Sequence, residues 1–190
     1  MDNSPTALTP RFQEALVFAT QLHARQLRKG SAVPYIAHLL SVTGLVLEAG
    51  GDEDEAIAAL LHDAVEDQGG LDTLADIRCC FGDRVAAIVE GCSDAYTIPK
   101  PPWQQRKEKY IAHLREASPE VRRVSLADKL HNARSILRDL HKDCAATWDK
   151  FNGGKDGTLW YYRTLVQIFS EVENDFMVDE LARVVAQMEE

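Results

Sequence analysis

"AIAALLHDAVEDQGG", residues 56–70, opens as an apolar helix and then places His62, Asp63, Glu66 and Asp67 within six positions. Six apolar residues in succession, 56–61, fit a helix that is hydrophobic all round and therefore buried. Such a helix rejects carboxylates that lack a partner. Either the helix surfaces into a solvated acidic end, or a positive group meets these side chains inside the fold. On a continuous helix, His62 aligns with Glu66 and Asp63 with Asp67. Adjacent His62 and Asp63 diverge by about 100° and still reach one point on the helix shoulder.

Helical signals continue on both sides. Thr9 and Pro10 read as an N-cap followed by proline at the first helical position. Phe12, Leu16, Ala19 and Leu22 then recur at helical spacing, which predicts a first helix over 10–28. "RKGSAVP" breaks it, "YIAHLLSVTGLVLEAG" resumes helix, and Gly50-Gly51 stops it. Two short helices flank Gly82; "YTIPKPPW" reads as a loop and "QQRKEKYIAHLREA" as a charged amphipathic helix. Ser118-Pro119 starts a long helix, "WDKFNGGKDG" reads as a loop, and two helices over 156–190 close the chain. No segment alternates with the period of a strand, and there is no repeat or dividing linker. The expectation is an all-α, compact multi-helix bundle forming one domain over 1–190.

The composition bounds the partners. A net charge of −9 argues against a nucleic-acid partner, which needs a basic surface. A few local Lys and Arg still suffice for a small phosphate ligand. Cys79, Cys80, Cys92 and Cys144 form neither a CxxC pair nor a disulfide framework, so they read as reduced core residues in a cytoplasmic protein. "MDNSPTALTP" lacks the pattern of a signal peptide, and no apolar run approaches a membrane span of about 20 residues.

Two further polar intrusions sit in apolar helix. In "VSLADKLHNARSIL", 124–137, Asp128, His131 and Asn132 form a stripe at i, i+3 and i+4. His38 lies in "PYIAHLL". Two His and two Asp on three helices supply the nitrogen and oxygen donors a divalent metal takes. His23 reads as a packing histidine, and His113 and His141 as surface residues. Arg106 and Lys107 read as part of a solvated face. Trp103, Trp148 and Trp160 read as core or loop anchors.

An adjacent His-Asp pair with a His upstream and an Asp far downstream resembles the HD metal-dependent phosphohydrolases. "RKGSAVPYIAH", "AALLHDAVED", "FGDRVAAIVEG" and "LADKLHN" occur in the order found in the hydrolase domain of the RelA/SpoT alarmone enzymes. The resemblance covers about 10–140, and "TLWYYRTL" aligns more loosely. "SDAYTIPK" is similar to the stand-alone small alarmone hydrolases.

That resemblance implies that His38, His62, Asp63 and Asp128 hold one metal ion, usually manganese. It assigns water activation and proton transfer to Glu66 and Asp67, and places Arg28 and Lys29 near substrate phosphates. Asn132 and Tyr162 match nucleotide contacts. Leu39 stands where the family usually has proline, and the loop from Lys29 to Pro34 is one residue longer than in the bifunctional enzymes. The implied activity is removal of the 3′-pyrophosphate of ppGpp or pppGpp. The alternatives are another HD phosphohydrolase, acting on NADPH or a dNTP, and a non-catalytic nucleotide sensor.

Overall fold

A computed structural model describes residues 6–93, 101–172 and 175–190; the side chains of 144 and 145 are outside that description. In chain order the helices are α1 (Pro10–Leu22), α2 (Ile36–Glu48), α3 (Glu53–Leu61), α4 (Ala64–Gln68), α5 (Gly70–Phe81), α6 (Asp83–Cys92), α7 (Trp103–Glu116), α8 (Pro119–Asp143), α9 (Gly154–Val172) and α10 (Phe176–Met188). A 3-10 helix, Cys144–Lys150, joins α8 to α9. Among the described residues the sole extended pairing is an isolated bridge, Leu27 to Pro34. The fold is all-α, as expected.

Helix α8 is the axis of the bundle. It packs on α2, α3, α6 and α10, and its inward face buries Val121, Val124, Leu126, Ala127, Leu130, Ala133 and Ile136. Helix α3 is apolar from Ala56 to Leu61 and fully buried there. A capping box starts it, with the Asp52 side chain accepting from Glu55 N–H and Glu55 returning to Asp52 N–H. Glu55 is itself buried and paired with Arg123 of α8, which ties the start of α3 to the axis.

Four expectations need correction. Helix α1 ends at Leu22, not at residue 28. Arg28 N–H donates to Val33 O at 2.9 Å and Tyr35 N–H to Gln26 O at 2.9 Å, and Gly30 turns the chain at φ 71°. This pairing outcompetes the apolar periodicity that runs through Leu27, so Arg28 and Lys29 stand on a hairpin-like loop.

Helix α5 buries Thr73, Leu74, Ile77 and Phe81, which turns Cys79 and Cys80 outwards. Cys92 is buried as expected. Arg106 and Lys107 precede the buried Tyr110 by one turn and so share its inward side. Part of "WDKFNGGKDG" is helical, because Thr147 and Trp148 are buried in the 3-10 turn and α9 already begins at Gly154. Most of "YTIPKPPW", and the match at 94–100, lie outside the described residues.

Trp103 anchors α7 against α9. Its ring fills the space a Cβ at Gly153 would occupy, 2.7 Å away, and meets Trp160 and Tyr161 edge-on. No helix of the described residues is long and apolar enough to cross a membrane.

Candidate active site

The apolar run of α3 ends at Leu61, and α4 begins at Ala64. His62 and Asp63 therefore lie at a break, not on one continuous helix as the spacing predicts. Asp63 keeps near-helical angles (φ −95°, ψ −4°), and Asp67 N–H still bonds Asp63 O at 3.0 Å. The break lets two adjacent side chains converge: His62 Nε2 stands 3.0 Å from Asp63 Oδ2.

Helix α2 brings His38 Nε2 to 3.4 Å from Asp63 Oδ2 and 3.2 Å from Asp128 Oδ1 of α8. His62 Nε2 is 3.6 Å from the same Asp128 oxygen. All four sequence-predicted metal residues thus meet at one point. Leu39 does not disturb this arrangement: it is fully buried, and His38 N–H bonds Tyr35 O at 2.9 Å.

The other nitrogen of each imidazole is engaged. His62 Nδ1 donates to Ala59 O at 2.8 Å. His38 Nδ1 pairs with His131 Nδ1 at 2.7 Å. Burial, His38 and Arg28 push the His131 pKa down to about 4, so a neutral His131 ring meets His38 at this contact. Both Nε2 atoms face the cluster, and both are buried without a hydrogen-bond partner. Metal-binding histidines are oriented in this way by a bond from their second nitrogen.

The donor atoms of His38, His62 and Asp128 lie within 4.8 Å of one another. A small divalent ion about 2.1 Å from its ligands keeps neighbouring donors about 3 Å apart, close to the spacings here. These nitrogen and oxygen donors fit a divalent ion, and Asp63 Oδ2 stands 3.4 Å and 3.0 Å from the two Nε2 atoms.

Charge is balanced locally. Burial lowers the His62 pKa, but the carboxylates of Asp63 and Asp128 outweigh it and hold His62 well above its ordinary value. Burial raises Asp63 and Asp128, but His62, His38 and, for Asp128, Lys129 outweigh it and hold both well below the usual carboxylate range.

These directions predict a pH dependence. Without metal, the His62 contribution to stability is fully present below pH 6.5 and fades as pH rises through the raised value. The Asp63 and Asp128 contributions are present above pH 3.8 and fade only as pH falls through their depressed values. Binding an ion must release the His62 proton. The rise in melting temperature produced by Mn2+ over a chelated control is therefore expected to be larger at pH 8 than at pH 6. An equal rise at both would count against this charge arrangement.

Above the cluster opens a cavity of about 530 Å³. Its walls include every other sequence-predicted site residue: Arg28, Lys29, Glu66, Asp67, Asn132 and Tyr162. Arg28 Nη2 donates to Asn132 Oδ1 at 2.5 Å, and Asn132 Nδ2 to Asp128 Oδ1 at 2.5 Å, so a chain of donors runs from the wall to the cluster. Lys29 sits exposed at the rim, where its ammonium donates to Lys150 O at 2.5 Å. Tyr162 is buried in α9 with its phenol pKa raised by burial.

Several lining residues were not singled out in the sequence. Tyr35 donates its hydroxyl to Asp63 Oδ2 at 2.6 Å; its place one turn before His38 is the available signal. Lys129 pairs with Asp128 Oδ2 at 2.5 Å over the Tyr110 ring, and a lysine between a buried Asp and Leu130 was legible as unusual. Arg106 and Lys107, read from the sequence as a solvated face, and Trp103, read as an anchor, also reach the cavity. His23 is buried and stacked on Tyr35, in keeping with a packing role. His113 and His141 are exposed.

Helices that converge on a His/Asp cluster beneath a polar cavity define an HD-type domain. The HD domain family model matches residues 15–159, and the chain belongs to that family. Among curated relatives, guanosine-3′,5′-bis(diphosphate) 3′-pyrophosphohydrolase MESH1 of Xenopus tropicalis is 41% identical over 128 residues, spanning 66% of this chain and 69% of that protein. The human protein of the same name is 36% identical over 140 residues, spanning 72% and 73%. A solved metazoan orthologue of SpoT, described as hydrolysing ppGpp, superposes with a TM-score of 0.79 at 28% identity over 96% of this chain and 97% of its own. The protein lmo0812 of Listeria monocytogenes EGD-e superposes with a TM-score of 0.69 at 34% identity, over 78% and 96%.

Proposed function

We propose that the protein is a 3′-pyrophosphohydrolase of (p)ppGpp, and that its 190 residues act as one HD-type hydrolase domain in the cytoplasm. The observation that carries this reading is the polarity of the cavity. Carboxylates line its floor beside the His/Asp cluster, cations line its walls, and Tyr161 and Tyr162 lie beside them. A guanosine bearing two diphosphates matches that distribution, and the curated relatives carry this activity in their names.

The reaction adds water across the P–O3′ bond. The water oxygen bonds to the phosphorus attached to O3′, the P–O3′ bond breaks, and O3′ leaves as a hydroxyl. Pyrophosphate and GDP or GTP result. A divalent ion held by His38, His62, Asp63 and Asp128, manganese on this reading, supplies positive charge that lowers the pKa of water and offsets phosphate charge. Tyr35 and Asn132 fix the carboxylates of Asp63 and Asp128. Glu66 takes the proton of the attacking water, and Asp67 beside it assists the transfer. Arg28, Lys29 and Lys129 hold phosphate oxygens by charge-assisted hydrogen bonds, while Asn132 and Tyr162 contact the nucleoside.

Incubation with ppGpp and Mn2+, with products separated by chromatography, tests this. Equal amounts of GDP and pyrophosphate are expected. Inert ppGpp together with orthophosphate released from NADPH, or hydrolysis of a dNTP, would assign the cavity to another nucleotide.

A further inference from the structure

We propose, on the reading of Asp67 given above, that Gln26 is a positioning residue whose side-chain amide, fixed from behind by His23 and Gln68, holds the Asp67 carboxylate at the cavity. Gln26 Nε2 donates to Asp67 Oδ2 at 2.7 Å. A carboxylate accepts and does not donate, so this contact decides which way the amide points. The carbonyl Oε1 is thereby turned to the opposite side, where two donors meet it: His23 Nδ1 at 2.7 Å and Gln68 Nε2.

His23 must carry its proton on Nδ1 to serve there, which leaves Nε2 buried without a partner. The ring is 3% exposed and stacked on Tyr35, with centroids 5.3 Å apart. Its arrangement is explained by the bond to Gln26. The backbone fixes the same residues, since Gln26 N–H donates to His23 O at 3.0 Å and Tyr35 N–H to Gln26 O at 2.9 Å.

One loop therefore carries a donor for each of two acids. Tyr35 serves Asp63 and Gln26 serves Asp67. Asp67 is an exposed side chain on a five-residue helix. Proton transfer requires a group within about 2.6–3.2 Å of the proton it moves, and a misplacement of about 1 Å can cost about 10²-fold in rate.

The test uses two variants that a packing role and a positioning role would rank oppositely. Gln26→Glu keeps the shape and the acceptor for His23 and Gln68, but it removes the donor and sets a second carboxylate against Asp67. Gln26→Ala removes everything. At pH 8 the expected order of kcat on ppGpp is parent, then Gln26→Ala at about one tenth, then Gln26→Glu at about one hundredth. KM is expected to stay within about twofold, and manganese content to stay at the parent level.

Gln26→Glu is also expected to lower the melting temperature of the metal-free protein by about 2–4 °C. Adding Asp67→Asn should restore it, because the amide and the carboxylate then exchange roles. Gln26→Glu within threefold of the parent, the reverse order of the two variants, or a melting temperature that Asp67→Asn fails to restore would each overturn the assignment. A parent inert towards ppGpp would overturn the proposed activity instead; the exchange experiment, read by melting temperature alone, would still decide whether Gln26 holds Asp67.

Discussion

Asp128→Ala is expected to empty the metal site, taking manganese from about one ion per chain to less than about a tenth of that, with ppGpp hydrolysis falling below detection. Asp128 is 5% exposed and is the one contribution of α8 to the cluster of nitrogens from α2 and the α3–α4 break. Its two oxygens are divided. Oδ1 faces both histidines and accepts from Asn132, while Oδ2 pairs with Lys129. Truncation leaves the Lys129 ammonium without its carboxylate in a largely buried position, and breaking such a pair costs about 3–5 kcal/mol. A lower melting temperature should accompany the loss of metal. Asp128→Asn isolates charge from volume, since it keeps the shape of the side chain while removing the charge that the ion and Lys129 both require. Elemental analysis and calorimetry on the same preparation read both quantities. Parent-level manganese in Asp128→Ala would falsify the ligand set.

Glu66→Gln should give the opposite division, with manganese content close to the parent's and turnover reduced by about 10²–10⁴-fold. Glu66 lies on α4 beyond the His62–Asp63 break and lines the cavity. Glutamine preserves its shape but cannot take a proton as a carboxylate does. Substrate affinity should persist, because the cations of the walls are untouched. Pyrophosphate release measured against metal content on one preparation distinguishes this from a lost ligand. Activity at the parent level in both Glu66→Gln and Asp67→Asn would make the pair a solvated helix end.

The His/Asp cluster was the most legible part of the sequence. His38, His62, Asp63 and Asp128 each interrupt an apolar run, and the cost of burying unpaired polar groups makes such interruptions informative. The all-α architecture was legible for a related reason, since apolar periodicity and capping signals recur along the chain. The end of α1 was not. Its apolar spacing continues through Leu27, while the bonds that stop it join Gln26 and Arg28 to Tyr35 and Val33 across the turn at Gly30. The inward side of α7 was hidden for a different reason. Arg106 and Lys107 look like a solvated charge run until α9 supplies the wall they face, with Lys107 Nζ 4.8 Å from the Tyr161 ring centre. The break at His62 was equally invisible, because both of its residues keep near-helical angles.

The pairing of His38 with His131 has a consequence for how the protein is made. The donors at 38, 62 and 63 emerge early in synthesis, whereas Asp128 and the ring that holds His38 Nδ1 both arrive with α8. A nascent chain that stops short of α8 carries two imidazoles and one carboxylate with nothing to orient the first of them. It has no reason to capture a divalent ion tightly. On the proposed ligand set, loading with metal would wait until the axis of the bundle has docked and His38 has met His131, 93 positions along the chain.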